Sequence, residues 1–425
     1  MMTKVAVRGK LQDDAVKYEG LRNILTQLVE RRHPYAKKME EHGVRPEHIR
    51  GYEDLALLPY TTKKDLLDNY PIGWLARERS EVVRIHATSG TTGRPTIVAY
   101  TAKDIENWSR NVAWCLRLAG IGRDDVVQIA YGYGLFTGGI GFHYGAEAVG
   151  AVVIPASGGF TDRQVSLMQD LGTTVLACTP SYALRIAEAL ENSETPSTSL
   201  RIGVFGAEAW SEELRRALEK KLGITALDIY GLSEAMGPGV GMECMHQAGL
   251  HISLDFIPQT VDPETLEETN EGESGELVLT SWKKEAYPVI RYRTRDLTTL
   301  LREPCACGDS TPRMTRVRGR SDDMLIVSGV NVFPSQIEAA ICRVPGLSAN
   351  YQITAWKERG VQRMSLACER TPDSTPEEVH TISRNASKYL KQALGITIPF
   401  NIMEPGSIPR SEGKAVRILR IAEKK

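Results

Sequence analysis

Residues 88 to 95 read Thr-Ser-Gly-Thr-Thr-Gly-Arg-Pro, a run of hydroxyls, glycines and one cation with no apolar side chain to anchor it in a core. Such a loop can turn backbone N–H groups, its hydroxyls and the Arg94 guanidinium toward one anion, which is how a protein holds a polyphosphate. The spacing differs from the common nucleotide loop, which needs four residues between its glycines and then Gly-Lys-Ser/Thr. By composition alone a solvated Ser/Thr/Gly turn is an equal alternative.

Five other segments share this polar, glycine-containing character. Phe205-Gly206-Ala207-Glu208 and Asp228-Ile229-Tyr230-Gly231-Leu232-Ser233-Glu234 each follow a predicted strand, where α/β folds place their ligands. Small residues there admit a planar ring, Tyr230 offers a stacking face, and Glu234 offers a hard oxygen for Mg²⁺. Arg291-Tyr292-Arg293-Thr294-Arg295-Asp296 sets three cations beside one carboxylate that could accept two ribose hydroxyls. Arg320 and Asp322 stand at a predicted domain boundary, and Pro409 to Lys414 form a loop near the C-terminus that ends in a lysine. Each has a plain structural reading as well: a strand-end turn, a surface ion cluster, a solvated linker, a frayed tail. A separate set, Cys244-x6-His251 with Cys305-x-Cys307, offers three thiolates and an imidazole for a tetrahedral zinc ion, with His246 as a competing ligand. The alternative is reduced cysteines and a surface histidine.

The elements that must position these residues follow from hydrophobic periodicity. The first eighty residues are charge-rich with helical spacing, as in Leu21, Ile24, Leu25, Leu28 and Val29. Val126–Ala130, Ala151–Ile154, Thr174–Ala177 and Ile202–Phe205 read as buried strands. Helices are predicted between them at 162–170, 181–191 and 211–222, an alternation that implies a mostly parallel α/β sheet. The glycine-broken stretch from Val126 to Phe160 reads as buried strands and turns rather than a membrane span. From 250 to 302 strands and turns dominate, with Glu276–Thr280 the clearest strand. A fresh α+β pattern begins after 319, with helices at 334–344 and 376–394 and strands near 350–356 and 362–369. The expectation is a large N-terminal α/β domain, 1–319, and a small mobile α+β domain, 320–425.

Bulk composition bounds the function. The chain has 425 residues, 42% of them apolar and 25% charged, as in ordinary soluble proteins, and a formal net charge of −1. No overall charge favours nucleic acid or an anionic membrane. An odd count of seven cysteines and an N-terminus without an apolar signal core point to a reducing cytoplasm.

In this order the segments resemble the adenylate-forming superfamily of acyl-CoA synthetases, luciferases and adenylation domains, and most closely its phenylacetate–CoA ligase branch. The strings that carry the resemblance are AYGYGLFTGG (130–139), HYGAE (143–147), DIYGLSEAMGPGV (228–240), KEAYPVIRYRTRDLT (284–298), GRSDDMLIVSGVNVFPSQIE (319–338) and IPRSEGKAVR (408–417). The resemblance implies two steps: acyl-AMP formation from a carboxylic acid and ATP with loss of pyrophosphate, then thioester formation with coenzyme A. It places the β- and γ-phosphates of ATP on Ser89, Gly90, Thr91, Thr92, Gly93 and Arg94. Gly206, Ala207, Glu208, Asp228, Ile229 and Tyr230, with Gly231 beside them, would enclose the adenine. Glu234, with Thr92, would position Mg²⁺, Asp296 would grip the ribose, and Arg320 would lie by ribose and phosphate. Lys414 would contact carboxylate and α-phosphate in the first step, swinging on Asp322 as pivot between the two steps. Ser328-Gly329-Val330-Asn331 would face the thiol. Many relatives have lysine where this chain has Arg94, whose fork also suits phosphate.

The acyl pocket implied by the same resemblance is lined by Tyr133, Phe136, Ala207, Gly231, Ala235, Met236, Gly237 and Pro238. Its aromatic and small groups suit a flat, uncharged acid of the phenylacetate, benzoate or anthranilate type. Around Ile252-Ser253-Leu254-Asp255-Phe256 the chain departs from the tryptophan-acid pattern expected of phenylacetate ligases. The branch is also similar at Cys244, His251, Cys305 and Cys307, where some members carry a structural metal. Other readings are an adenylating enzyme that loads a carrier protein and a silent nucleotide-binding regulator; retention of Glu234, Asp296, Arg320 and Lys414 argues against the latter. The resemblance further implies a homodimer.

Overall fold

The computed structural model describes residues 2–88, 94–196, 198–270, 272–301, 303–327, 330–358, 361–410 and 415–421, residues 2–13 and 361 by backbone alone. The chain divides into two units that are discontinuous in sequence. The first comprises Met1–Asp124, Gly132–Val153 and Ile229–Thr315; the second comprises Asp125–Tyr131, Ile154–Asp228 and Arg316–Lys425.

The first unit opens on the helix Met2–Glu30, whose predicted apolar stripe puts Leu21, Leu25 and Leu28 in the core. Its central hairpin joins β1 (Val82–Ala87) to β2 (Ile97–Thr101), antiparallel, with Arg84 opposite Tyr100 and His86 opposite Val98. Side chains on a strand alternate faces, so these four share one face of the hairpin. Helix α1 (Ala102–Leu118) follows directly, capped by Thr101 and Asp104, each of which bonds the other's backbone N–H.

The stretch read as strands and turns contains instead helix α2 (Thr137–Val149). Its glycines weaken the local helical preference, but they let it lie against α1. A Cβ at Gly141 would come within 2.4 Å of Trp108, and one at Gly145 within 2.3 Å of Val112. Close packing has overridden propensity here. The rest of the unit is antiparallel sheet: Phe256–Val261, Gly275–Ser281 and Tyr292–Thr298 form one ladder. Residues from Ile229 pair with Gly237–Glu243, which pairs with Leu250–Ile252 and, beyond it, Arg313–Met314.

The second unit holds the predicted parallel strands, Val126–Ile129, Val175–Cys178 and Ile202–Gly206, in register side by side. Helices Thr161–Asp170, Pro180–Glu191 and Glu212–Leu222 lie where the periodicity puts them. Two start on hydroxyl caps, Thr179 and Ser211, and the third predicted end is closed by left-handed Gly223. The same unit carries the long hairpin Leu347–Glu358 with Val361–Arg370 and the helices Pro334–Ile341 and Val379–Leu394. Ile337, Ile353, Leu366 and Leu390 form their core. Among the described residues no helix is long and apolar enough to cross a membrane.

Candidate active site

In the first unit, Thr88 and Thr96 close the hairpin: Thr88 N–H donates to the Thr96 carbonyl, and Thr96 N–H to the Thr88 hydroxyl, both at 3.0 Å. The loop residues Ser89, Gly90, Thr91, Thr92 and Gly93 lie outside the described residues, as do Gly329 and Lys414. Arg94 is exposed, its guanidinium 5.4 Å from the centre of the Tyr70 ring.

Asp228, Ile229, Tyr230 and Gly231 do not follow a strand but form part of one, Thr225–Leu232. The Tyr230 hydroxyl donates to Asp296 Oδ2 at 2.6 Å, both residues being largely buried. Asp296 reaches that side because the strand Tyr292–Thr298 alternates. Thr294, Asp296 and Thr298 face inward, while Arg293 and Arg295 face the other way. The three arginines therefore do not attend Asp296. Arg293 forks onto Glu276 at 3.0 and 2.7 Å, Arg295 lies 3.4 Å from the same carboxylate, and Arg291 donates to the Ala56 and Leu58 carbonyls.

The turn that carries Glu234 is held from below. The Tyr100 hydroxyl lies 3.2 Å from the Ser233 carbonyl and 3.3 Å from that of Met236, and Ser233 and Thr137 share a hydroxyl contact at 3.1 Å. Ala235 and Met236 are fully buried, while Glu234 is half-buried. Trp108 stacks on Tyr100, and its indole N–H donates to the Pro238 carbonyl at 2.8 Å. Gly231 and Gly237 must lack side chains: a Cβ on Gly231 would meet the Gly237 carbonyl oxygen at 1.8 Å, and one on Gly237 would strike Trp108 at 2.6 Å. Tyr133 shares a hydrogen bond with His143 at 3.2 Å, whose other nitrogen lies 3.1 Å from Glu147. Phe136 is exposed at the start of α2.

Three residues around this turn carry no chemistry in the sequence reading. Lys284 is 1% exposed, and its ammonium lies 4.2 Å from the centre of the Tyr100 ring. Burial pushes its pKa down to about 8, against the pull of Asp104 and Glu234. His86 and Arg84 line the same face of the hairpin; burial, with help from Arg84 and Lys284, holds the His86 imidazole below its ordinary range. Lysine at position 284 stands in a polar, charged run, which in sequence reads as surface.

The second unit holds the remaining residues. Gly206 ends its strand, and Ala207 follows with φ of +68°, a left-handed conformation uncommon for a residue with a side chain. The Glu208 carboxylate accepts from the Ser181 hydroxyl at 2.9 Å and from the backbone N–H of Ala415, which puts the residue after Lys414 on Glu208. Asp228 receives Arg316 Nε at 3.1 Å, and Arg316 also lies over the Trp210 ring. Burial raises the Asp228 carboxyl despite that guanidinium. Arg320 and Asp322 grip each other through two bonds, 2.9 and 3.0 Å, on the exposed surface. Val330–Val332 returns against Leu325–Val327 in a short hairpin.

The predicted metal set is assembled within the first unit. The ligand atoms of Cys244, His251, Cys305 and Cys307 all lie within 4.8 Å of one another. Cys244 Sγ is 3.6 Å from Cys305 Sγ, and Cys307 Sγ is 3.4 Å from His251 Nε2. On the far side of the ring, His251 Nδ1 meets Thr311 Oγ1 at 3.1 Å and Asp309 at 3.3 Å, so Nε2 is the nitrogen turned toward the sulfurs. His246 is exposed and outside the set. Cys115, Cys178 and Cys368 are buried, and Cys342 packs against the second unit's clusters that hold Cys178 and Cys368.

The fold is that of adenylate-forming enzymes. The chain aligns with the crystal structure of 2-hydroxyisobutyryl-CoA ligase in complex with 2-HIB-AMP at a TM-score of 0.89 and 24% identity, covering 96% of this chain and 89% of that one. An anthranilate CoA ligase in complex with anthranoyl-AMP aligns at 0.62 and 19% identity, over 80% and 66% of the two chains. In sequence, the AMP-binding enzyme model matches residues 17–281, and the AMP-binding enzyme C-terminal domain model matches 329–420. The chain is 48% identical over 392 residues to the phenylacetate-coenzyme A ligase of Escherichia coli (strain K12), covering 90% of this chain and 89% of the relative. It is 42% identical over 422 residues to that of Thermus thermophilus, covering 95% of each. It belongs to the AMP-binding enzyme family, in its phenylacetate–CoA ligase branch.

Proposed function

We propose that this protein is an ATP-dependent aryl-acid–CoA ligase. In the first step a carboxylate oxygen attacks the α-phosphorus of ATP and the bond to pyrophosphate breaks. In the second the coenzyme A thiolate attacks the acyl carbon and AMP leaves. The observation that carries this reading is identity of 48% and 42% to phenylacetate–CoA ligases over at least nine-tenths of the chain.

The residues take the following roles in that reading. Asp296, oriented by the Tyr230 hydroxyl and by its place on the inward face of its strand, accepts from the ribose. Glu234 and Thr92 hold Mg²⁺, which neutralises phosphate charge. Lys414 brings the two anions of the first step together, and Ser89 to Arg94 hold the phosphates that leave. The C-terminal segment that carries Lys414 moves between steps about Asp322. Gly231 and Gly237, which admit no side chain, keep one wall of the acyl site flat for an aryl group. The acceptor is free coenzyme A. ATP–pyrophosphate exchange across aryl, arylacetic and short aliphatic acids, each followed by thioester assay with coenzyme A, tests the whole reading. Exchange confined to aliphatic acids would overturn it.

A zinc ion suits the Cys244, His251, Cys305 and Cys307 set. Three thiolates with one imidazole are its preferred soft donors, all are close enough to share one ion, and His251 is oriented by Thr311 and Asp309. Its role is structural, tying Leu250–Ile252 to the loop at 305–307. Protein purified without chelator should carry one zinc per chain; none bound would remove this assignment.

A further inference from the structure

The first unit contains a buried cation that hydrogen bonding does not explain. Among the described residues, Lys284 Nζ has no hydrogen-bond acceptor, although the residue is 1% exposed. A buried ammonium without acceptors is costly, and a methionine would fill the same volume without that cost.

Its surroundings narrow what the charge is for. The carboxylates that act on it are those of Asp104 and Glu234. Asp104 is already engaged, accepting backbone N–H groups of Thr101 at 3.0 Å, Glu285 at 2.8 Å and Ala286 at 3.0 Å. Those bonds anchor the Lys284 segment to the start of α1. The ammonium itself rests on the face of Tyr100, and the Tyr100 hydroxyl contacts the carbonyls of both Ser233 and Met236. Lys284, Tyr100 and the Glu234 turn are therefore one packed stack, braced by Trp108 at a ring distance of 5.2 Å. The same face of the hairpin adds Arg84 NH1, also without an acceptor among the described residues. The two cations, Lys284 and Arg84, give the region beside the Glu234 turn a positive field.

We propose that Lys284 is a positioning residue for acyl-AMP formation: its fixed positive charge beneath the Ser233–Met236 turn orients the Glu234 carboxylate. This rests on Glu234 acting in the magnesium–ATP step, as argued above. Lys284 touches no reacting atom; it acts through Glu234 and Tyr100.

The test uses the full chain with Lys284→Met, Glu234→Gln and the double variant, following acyl-AMP formation by ATP–pyrophosphate exchange, thioester formation from supplied acyl-AMP, and the thermal midpoint. Lys284→Met should slow acyl-AMP formation about tenfold, the scale of one coupled contact. It should leave the thioester step within about twofold and raise the midpoint, because a buried charge has gone. The double variant should be no slower than Glu234→Gln within about twofold, since both changes act through one carboxylate. Equal loss in both steps with a lower midpoint would make Lys284 structural and overturn the proposal. Unchanged exchange in Lys284→Met, or additive losses in the double variant, would overturn it too while leaving the Glu234 role standing. Wild-type exchange in Glu234→Gln would overturn that role and this inference together.

Discussion

Lys284, buried, and Arg293, nearly so, are cations of the first unit nine residues apart, and they are handled in opposite ways. Arg293 forks onto Glu276, whose side chain is 0% exposed, so each charge has its counter-charge and the guanidinium its acceptors. Lys284 has an aromatic face and the field of two carboxylates, but no acceptor among the described residues. A satisfied buried pair holds structure; a buried charge left without an acceptor lowers stability and persists where function uses its field. The contrast also separates the two ends of one motif, KEAYPVIRYRTRDLT: the middle arginines build the sheet, and the ends, Lys284 and Asp296, turn toward the proposed chemistry.

The largest effect expected is on a third cation, and it calibrates the other two. Lys414→Ala should cut acyl-AMP formation by about a thousandfold while thioester formation from supplied acyl-AMP falls only a few-fold. Equal loss in both half-reactions would show that Lys414 does not belong to the first step. Next, Arg293→Ala should destabilise the protein by about 3 kcal/mol, because Glu276 loses its fork while buried. Denaturant unfolding measures this. A loss below about 1 kcal/mol would reduce the pair to the level of a surface ion pair and remove one side of the contrast.

For Lys284 the sign is reversed. Its pKa in the folded protein is about 8, below the ordinary lysine value, so the cost of the buried ammonium is fully present below pH 8. It disappears as the pH rises toward the unfolded value, where the unfolded chain holds the proton and the folded chain does not. Lys284→Met should therefore stabilise the protein below pH 8, by about 3 kcal/mol at most, and lose that advantage as the pH rises through the window. Parallel pH–stability curves for the two proteins would refute this. The smallest effect is Tyr230→Phe, which removes one hydrogen bond to Asp296 and should raise KM for ATP about fivefold, about 1 kcal/mol, with kcat nearly unchanged.

Much of the fold was legible where the polypeptide pattern and the local environment agree. The runs at 126–130, 174–177 and 202–205 became parallel strands because a buried strand needs apolar side chains on both faces. The caps at Thr179 and Ser211 stand where hydroxyls precede apolar periodicity. Helix α2 was missed because glycine reads as a breaker, while the reason for Gly141 and Gly145 is the surface of α1, far away in sequence. The Cys/His set was named from residue types, the tight Cys-x-Cys spacing and the family resemblance, although a gap of about fifty residues gives no sign of approach.

The sequence by itself determined which chemical groups are available: a hydroxyl-rich loop, a carboxylate in each of two motifs, a terminal lysine, three thiols and a histidine. Motif strings of that length also determined the family. Only the tertiary structure decided which groups face each other. Strand alternation sent Arg293 and Arg295 to Glu276 and left Asp296 to Tyr230. Packing under the Glu234 turn buried Lys284 without an acceptor among the described residues, a property that no residue string can display. Side-chain chemistry is local to the chain, whereas burial, field and partnership depend on neighbours that folding brings from elsewhere.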